Sequence, residues 1–139
     1  MHPRFTLVVT GILLFMGSTA QKSGSTSSKD PAKHGKSSKV HFGTASFYAN
    51  KFDGRKTASG EIFSQNKMTG ASNIIAMNTW VRVTNLRNKK IVVVRINDRM
   101  HPRNKRLIDL SRNAASQLGY TGRGLVKVKV EELGKKHPS

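Results

Sequence analysis

The chain has 139 residues, enough for one domain, and carries 25 Lys and Arg against 7 Asp and Glu, a formal net charge of +18. A balance so far from neutral calls for an anionic partner, whether nucleic acid, anionic lipid or an acidic envelope polymer, and says nothing about fold. The absence of cysteine excludes a disulfide, a thiolate zinc site and a lipid-modified cysteine.

Residues 1–20 have the three parts of a secretory signal peptide: a basic start ending at Arg4, a largely apolar stretch from Phe5 to Gly17, and the small residues Ser18, Thr19 and Ala20 where a signal peptidase cuts. The apolar stretch, about a dozen residues, falls short of the roughly twenty that cross a bilayer. The expectation is therefore an exported chain, in the periplasm, the envelope or the medium, not lipidated and without a membrane span once the leader is removed. Export turns the positive charge toward envelope polymers and away from nucleic acid, which is not expected as a partner. Residues 21–39 are rich in Ser, Lys and Gly and nearly devoid of apolar side chains. Such a stretch cannot bury enough surface to offset its ordering entropy and reads as a disordered basic linker, a tether that also attracts anionic envelope polymers.

A folded domain is predicted over residues 40–134, with 135–139 as a tail. The segment from Phe42 to Tyr48 reads as a strand in which Gly43 and Ala45 permit close backbone approach. The segment from Asn50 to Gly60, with its Asp53-Gly54 and Ser59-Gly60 turn dipeptides, reads as loop. From Asn66 to Asn78 the pattern is mixed, one helical turn or an irregular crossover. Trp80 to Thr84 alternates, Arg87-Asn88-Lys89 supplies a turn, and Ile91 to Ile96 is a β-branched run, together a hairpin. Trp80 is expected in the core. Ser111 is a helix N-cap, with Ala114, Ala115 and Leu118 on one side of the helix and Gly119 as its stop. Val126, Val128 and Val130 then alternate with Lys127, Lys129 and Glu131 in a last strand. The fold class that follows is mostly β, a small barrel with one short helix.

In a chain this poor in acids, two carboxylates sit at the ends of apolar segments: Asp98 after Ile91–Ile96, and Asp109 within Leu107-Ile108-Asp109-Leu110. Each is a candidate for proton chemistry, and each is equally explained as a neutraliser of a neighbouring arginine or a turn cap. Along an extended strand Arg95 and Asn97 share one face and Ile96 and Asp98 the other, which turns Arg95 away from Asp98. The histidines show no metal-ligand spacing and no glycine loop cradles a phosphate, so no metal or other cofactor is expected.

Five segments, in order and spacing, resemble the rare-lipoprotein-A (RlpA-like) family: Gly43-Thr-Ala-Ser-Phe-Tyr48, Gly54-Arg-Lys-Thr-Ala-Ser-Gly-Glu61, Val83-Thr-Asn-Leu86, Ile96-Asn-Asp-Arg99 and Ile108-Asp-Leu-Ser111. The resemblance implies a six-stranded double-psi β-barrel of the kind shared with expansins. It also implies an endolytic lytic transglycosylase that cuts peptidoglycan glycan strands between N-acetylmuramic acid and N-acetylglucosamine; a monomer is expected. Carried over by position, Asp98 and Glu61 fall on functional acids of the family and Asp109 on the groove aspartate of expansin-like barrels. These three are the expected catalytic acids, with Tyr48, Thr57, Ser72, Asn97 and Arg99 expected as substrate contacts. Near the acids, Arg99, Arg103 and Arg106 suit the carboxylates of substrate stem peptides, which a guanidinium binds bidentately.

Three segments of the chain depart from the family pattern. Ser72 stands where many relatives have a His, Ile74-Ile-Ala-Met-Asn-Thr79 stands where relatives read Thr-Leu-Pro-Phe-Gly-Thr, and Met100-His101-Pro102 replaces Gly-Pro. A carboxy-terminal glycan-binding domain and the lipidated cysteine are also missing from the sequence. Because a hydroxyl cannot replace an imidazole that titrates near neutrality, a second reading is a non-catalytic peptidoglycan-binding module. A third is a basic protein that binds nucleic acid or lipopolysaccharide.

Overall fold

Alternating apolar side chains decide the architecture. In the computed structural model, which describes residues 37–139 together with Gly11 and Gly17, six strands close into a barrel. The expected signal peptide and all but the last three residues of the expected linker lie outside the described residues, Gly11 and Gly17 excepted. The strands are β1 (Val40–Phe47), β2 (Thr69–Ala71), β3 (Trp80–Asn85), β4 (Ile91–Asp98), β5 (Ile108–Leu110) and β6 (Val126–Gly134), with one helix, α1 (Arg112–Leu118). Around the barrel they run β1-β5-β2-β4-β3-β6. Pairs β1/β5 and β2/β4 are parallel and the other neighbours antiparallel.

The period-2 pattern delivers Val126, Val128 and Val130 of β6, Val92, Val94 and Ile96 of β4, and Val81 and Val83 of β3 to one core. Ala114, Ala115 and Leu118 of α1 pack on the same core. The helix starts as expected: the Ser111 hydroxyl accepts from Ala114 N–H at 3.3 Å. It ends at Gly119, whose φ of 81° closes the last turn. The β3–β4 hairpin also forms, with Asn85 N–H on Lys90 O at 2.9 Å.

Two expectations change. The segment expected to be an irregular crossover contains β2, a strand of Thr69-Gly70-Ala71 held between β4 and β5. Its neighbours come so close that a Cβ on Gly70 would lie 3.2 Å from both the Asp109 carbonyl and Leu110 Cδ2. Trp80, expected in the core, is only half-buried on the barrel exterior, its ring edge-on to His137 with centroids 4.5 Å apart. Strand alternation explains this: Val81 and Val83 take the inward positions, so Trp80 faces out. Gly43 serves the close approach predicted for it, since a Cβ there would lie 2.7 Å from Leu107 Cβ. Among the described residues no helix is long and apolar enough to cross a membrane.

Candidate active site

The short strand β2 sets the spacing of the site. Ala71 pairs with Asp98 of β4 on one side and with Asp109 of β5 on the other, and Asp109 in turn pairs with Ser46 of β1. Two strand spacings separate the two acids, about 10 Å between their backbones. Both line one groove of about 730 Å³, shared with Tyr48, Phe52, His101 and Arg106.

Asp98 is held by hydrogen-bond donors and not by a cation. Its Oδ2 accepts from the Tyr48 hydroxyl at 2.7 Å, and its Oδ1 accepts from the backbone N–H of Ala58 at 2.9 Å and of Arg99 at 2.8 Å. The loop carrying Ala58 is tied to the same strand, because Ser59 N–H reaches Asn97 O at 3.2 Å. Burial, and then the hydrogen bond to the Asp98 carboxylate, push the Tyr48 phenol well above its ordinary range, so it stays a donor. Its ring is wedged between Phe63, at 4.1 Å centroid separation, and Phe52, at 5.9 Å. That packing fixes where the hydroxyl points.

The other two acids meet guanidinium groups. Asp109 accepts from Arg106 Nε at 2.8 Å and Nη2 at 3.0 Å, in the groove. Glu61 lies outside the groove lining, gripped by Arg95 at 2.6 and 2.7 Å and by Asn97 Nδ2 at 3.2 Å. The alternation of β4 is the reason: Arg95 and Asn97 face the 55–63 loop, and Asp98 faces the groove. The structure thus brings Asp98 and Asp109 together and sets Glu61 beside them as a clasp on the loop that carries Ala58.

The Arg95 guanidinium, by hydrogen bonding, holds the Glu61 carboxyl at about 2, well below the usual 4.5. A carboxyl lowered on folding contributes stability above its unfolded value and loses it as pH falls toward the folded one. The clasp is therefore expected to be at full strength above about pH 5 and gone near pH 2. With 35% of the Glu61 side chain exposed, solvent screening keeps its contribution within about 1 kcal/mol. Urea titrations of Glu61→Gln and the parent chain from pH 7 to pH 2 measure it: the two stabilities should converge as the pH drops.

The remaining expected contacts have other tasks. Ser72 is fully buried; its hydroxyl donates to Leu107 O at 2.9 Å and is not presented to the groove. Asn97 is buried too, with Nδ2 on Glu61 and Oδ1 without a hydrogen-bond partner among the described residues. Thr57 is buried, its Oγ1 within 2.9 Å of Ser59 Oγ, so it braces the loop. Arg99 lines the groove, yet its guanidinium donates to Ser72 O and, at 2.6 Å, to Ile75 O, clamping the 72–75 turn. The sequence reading did not single out Phe52 or His101 as groove residues. His101 Nδ1 accepts from Arg103 N–H at 3.1 Å. Its position three residues beyond Asp98 was the available signal.

The family model described as lytic transglycolase matches residues 40–130. The chain is 53% identical over 89 residues to the endolytic peptidoglycan transglycosylase RlpA of Pasteurella multocida (strain Pm70), covering 64% of this chain and 30% of that protein. It is 48% identical over 91 residues to the protein of the same name from Haemophilus influenzae (strain Rd), covering 66% and 32%. It therefore spans about a third of the length of these curated relatives. Among solved structures, the apo expansin of Clavibacter michiganensis superposes with a TM-score of 0.56 at 22% identity, over 73% of this chain and 52% of that one. That likeness speaks for the barrel alone.

Proposed function

Because the chain belongs to the lytic transglycolase family, with its double-psi β-barrel, we propose that the groove holds a peptidoglycan glycan strand in the envelope and cleaves it without water, Asp98 acting as acid and then as base. One observation carries this assignment: among the described acids of the groove, Asp98 has no cation on its carboxylate, whereas Asp109 is paired with Arg106. A proton carrier must gain and lose its proton in each turnover, and a guanidinium neighbour opposes the protonated form.

The step balances. Asp98 gives its proton to the glycosidic oxygen, which leaves on the N-acetylglucosamine side as the bond to muramic acid C1 breaks. The muramic C6 hydroxyl attacks C1, its proton passes to the Asp98 carboxylate, and a 1,6-anhydro ring closes. One carboxyl serves both halves, unlike the two-carboxylate arrangement of hydrolases. Tyr48 is suited to both states of Asp98: its hydroxyl donates to the carboxylate and accepts from the acid form. Asp109 and Arg106 form a fixed ion pair on the groove wall, with guanidinium N–H groups left over for substrate oxygen atoms.

Digestion of denuded glycan strands by the full chain, followed by mass spectrometry, tests the reaction. Every new muramic end should carry the 1,6-anhydro ring, lighter by one water than a hydrolytic end. Reducing muramic ends, or sedimentation with sacculi and no cleavage, would overturn the proposal.

A further inference from the structure

A second cleft lies on the barrel wall away from the carboxylates. It encloses about 450 Å³ between the outer face of β1, the β3–β4 turn and the loop before β6, and is lined by Thr44, Arg87, Arg123, Leu125, Val126 and Lys127. That is the size range of small-ligand sites. Its frame is tied by backbone bonds. Thr44 and Lys127 are cross-strand partners, Leu86 N–H donates to Lys127 O at 3.0 Å, and Arg123 N–H donates to Tyr120 O at 3.0 Å.

The charge of this cleft is not balanced within the described chain. Glu61 pairs with Arg95, Asp109 with Arg106, Glu131 with Arg82 and Lys129, and Glu132 with His41. Asp98 is on Tyr48, and Asp53 accepts from Gln65 N–H. None of these six acids reaches Arg87, Arg123 or Lys127. Lys127 Nζ bonds instead to the neutral Thr44 hydroxyl at 2.9 Å. Three cations thus converge beside the half-exposed side chain of Leu125.

We propose that this cleft is a binding site for short carboxylate-bearing peptides, and that on the cell wall its ligand is a peptidoglycan stem peptide; this second part rests on the glycan-cleaving reading above. Two guanidinium groups suit carboxylates, which they bind bidentately. Leu125 gives the alkyl segments between those carboxylates an apolar seat. A phosphate polymer would be served by a track of cations along the surface and has no use for that seat. The enzyme would hold a stem peptide on one wall and the glycan in its groove, which ties cutting to a neighbouring, peptide-bearing strand.

The test uses the full chain and the soluble stem peptide L-Ala-γ-D-Glu-meso-diaminopimelate, which contains no sugar. In ¹⁵N-labelled protein, this peptide should move the amide signals of Thr44, Arg87, Arg123 and Lys127 and leave those of Tyr48 and Asp98 in place. The double variant Arg87→Gln/Arg123→Gln should bind it about a hundredfold more weakly, each lost charged hydrogen bond being worth roughly tenfold. Cleavage of denuded strands, which carry no peptides, should be unchanged in that variant. A peptide with amidated carboxylates should not bind. Shifts confined to the groove, undiminished binding by the double variant, or equal binding of inorganic phosphate or an oligonucleotide would each overturn the site. Peptide binding by the parent chain without cleavage of denuded strands would fail the groove assignment alone and leave the cleft standing.

Discussion

Replacing Asp98 by Asn is expected to lower turnover on denuded glycan strands by about 10²–10⁴-fold, the range attributed to a positioned general acid–base. The substitution is close to isosteric. Its amide oxygen can still accept from Ala58 N–H and Arg99 N–H, the two donors that hold Oδ1 in the parent chain. Its NH₂ then faces the Tyr48 hydroxyl, which can turn from donor to acceptor. Fold and groove should survive, so the loss should appear in kcat with KM little altered. The amide has no acidic proton to give to the glycosidic oxygen and no basic site to receive one from the C6 hydroxyl. Asp109→Asn is the comparison, because its carboxylate is already occupied by Arg106 at 2.8 and 3.0 Å. That variant should keep the greater share of activity. Initial rates of 1,6-anhydro product release for the three proteins measure the order, and an Asp109 variant more impaired than the Asp98 variant would transfer the acid–base role.

The distinction between those two acids was not legible in the sequence. Both stand at the ends of apolar segments and both have arginines nearby in the chain. Strand alternation correctly turned Arg95 away from Asp98, since i and i+2 along a strand share a face whatever the surroundings. No such rule announces that the phenol of Tyr48, 50 residues away in sequence, would reach Asp98. Nor does one announce that Glu61 would close on Arg95 across 34 residues. Those partners are set by which strands the barrel makes neighbours.

The same contrast runs through the fold. β4 was readable from its β-branched run, β6 because its valines alternate and face a core, and α1 because a cap and a left-handed glycine bracket it. β2 was not. Thr69-Gly70-Ala71 carries no periodic apolar signal, because a strand pressed between two others has room for little beyond small side chains. Yet this is the strand that sets Asp98 and Asp109 on either side of Ala71. Ser72 shows the limit of reading roles by position. Placed among substrate contacts by resemblance, it is buried beneath the groove and fastens the 72–75 turn to Leu107.

Tyr120→Ala should be the most damaging substitution outside the groove, costing about 3–5 kcal/mol, as for other large buried aromatics. Tyr120 is 1% exposed, its ring meets Phe47 edge-on at 6.0 Å, and its hydroxyl donates to Ser46 O at 2.7 Å. Burial, with a smaller contribution from Asp109, raises its phenol above the ordinary range, so that bond persists at any pH the fold tolerates. Set against the roughly 5–15 kcal/mol that holds a domain together, the loss is large enough to leave a substantial unfolded fraction. Tyr120→Phe separates ring from hydroxyl: it removes only one hydrogen bond and should cost about 1 kcal/mol. For a domain of this size, each kcal/mol shifts Tm by about 4–8 °C, which calorimetry resolves. Ser46 immediately precedes Phe47 and Tyr48, so the hydroxyl also fixes the end of β1 from which Tyr48 reaches Asp98. Below its lowered Tm, Tyr120→Phe should cleave glycan with an unchanged pH profile, because the bond holds the strand and takes no part in proton transfer. Equal destabilisation by Phe and Ala would instead put the energy in the Ser46 contact and leave the ring a minor part of the core.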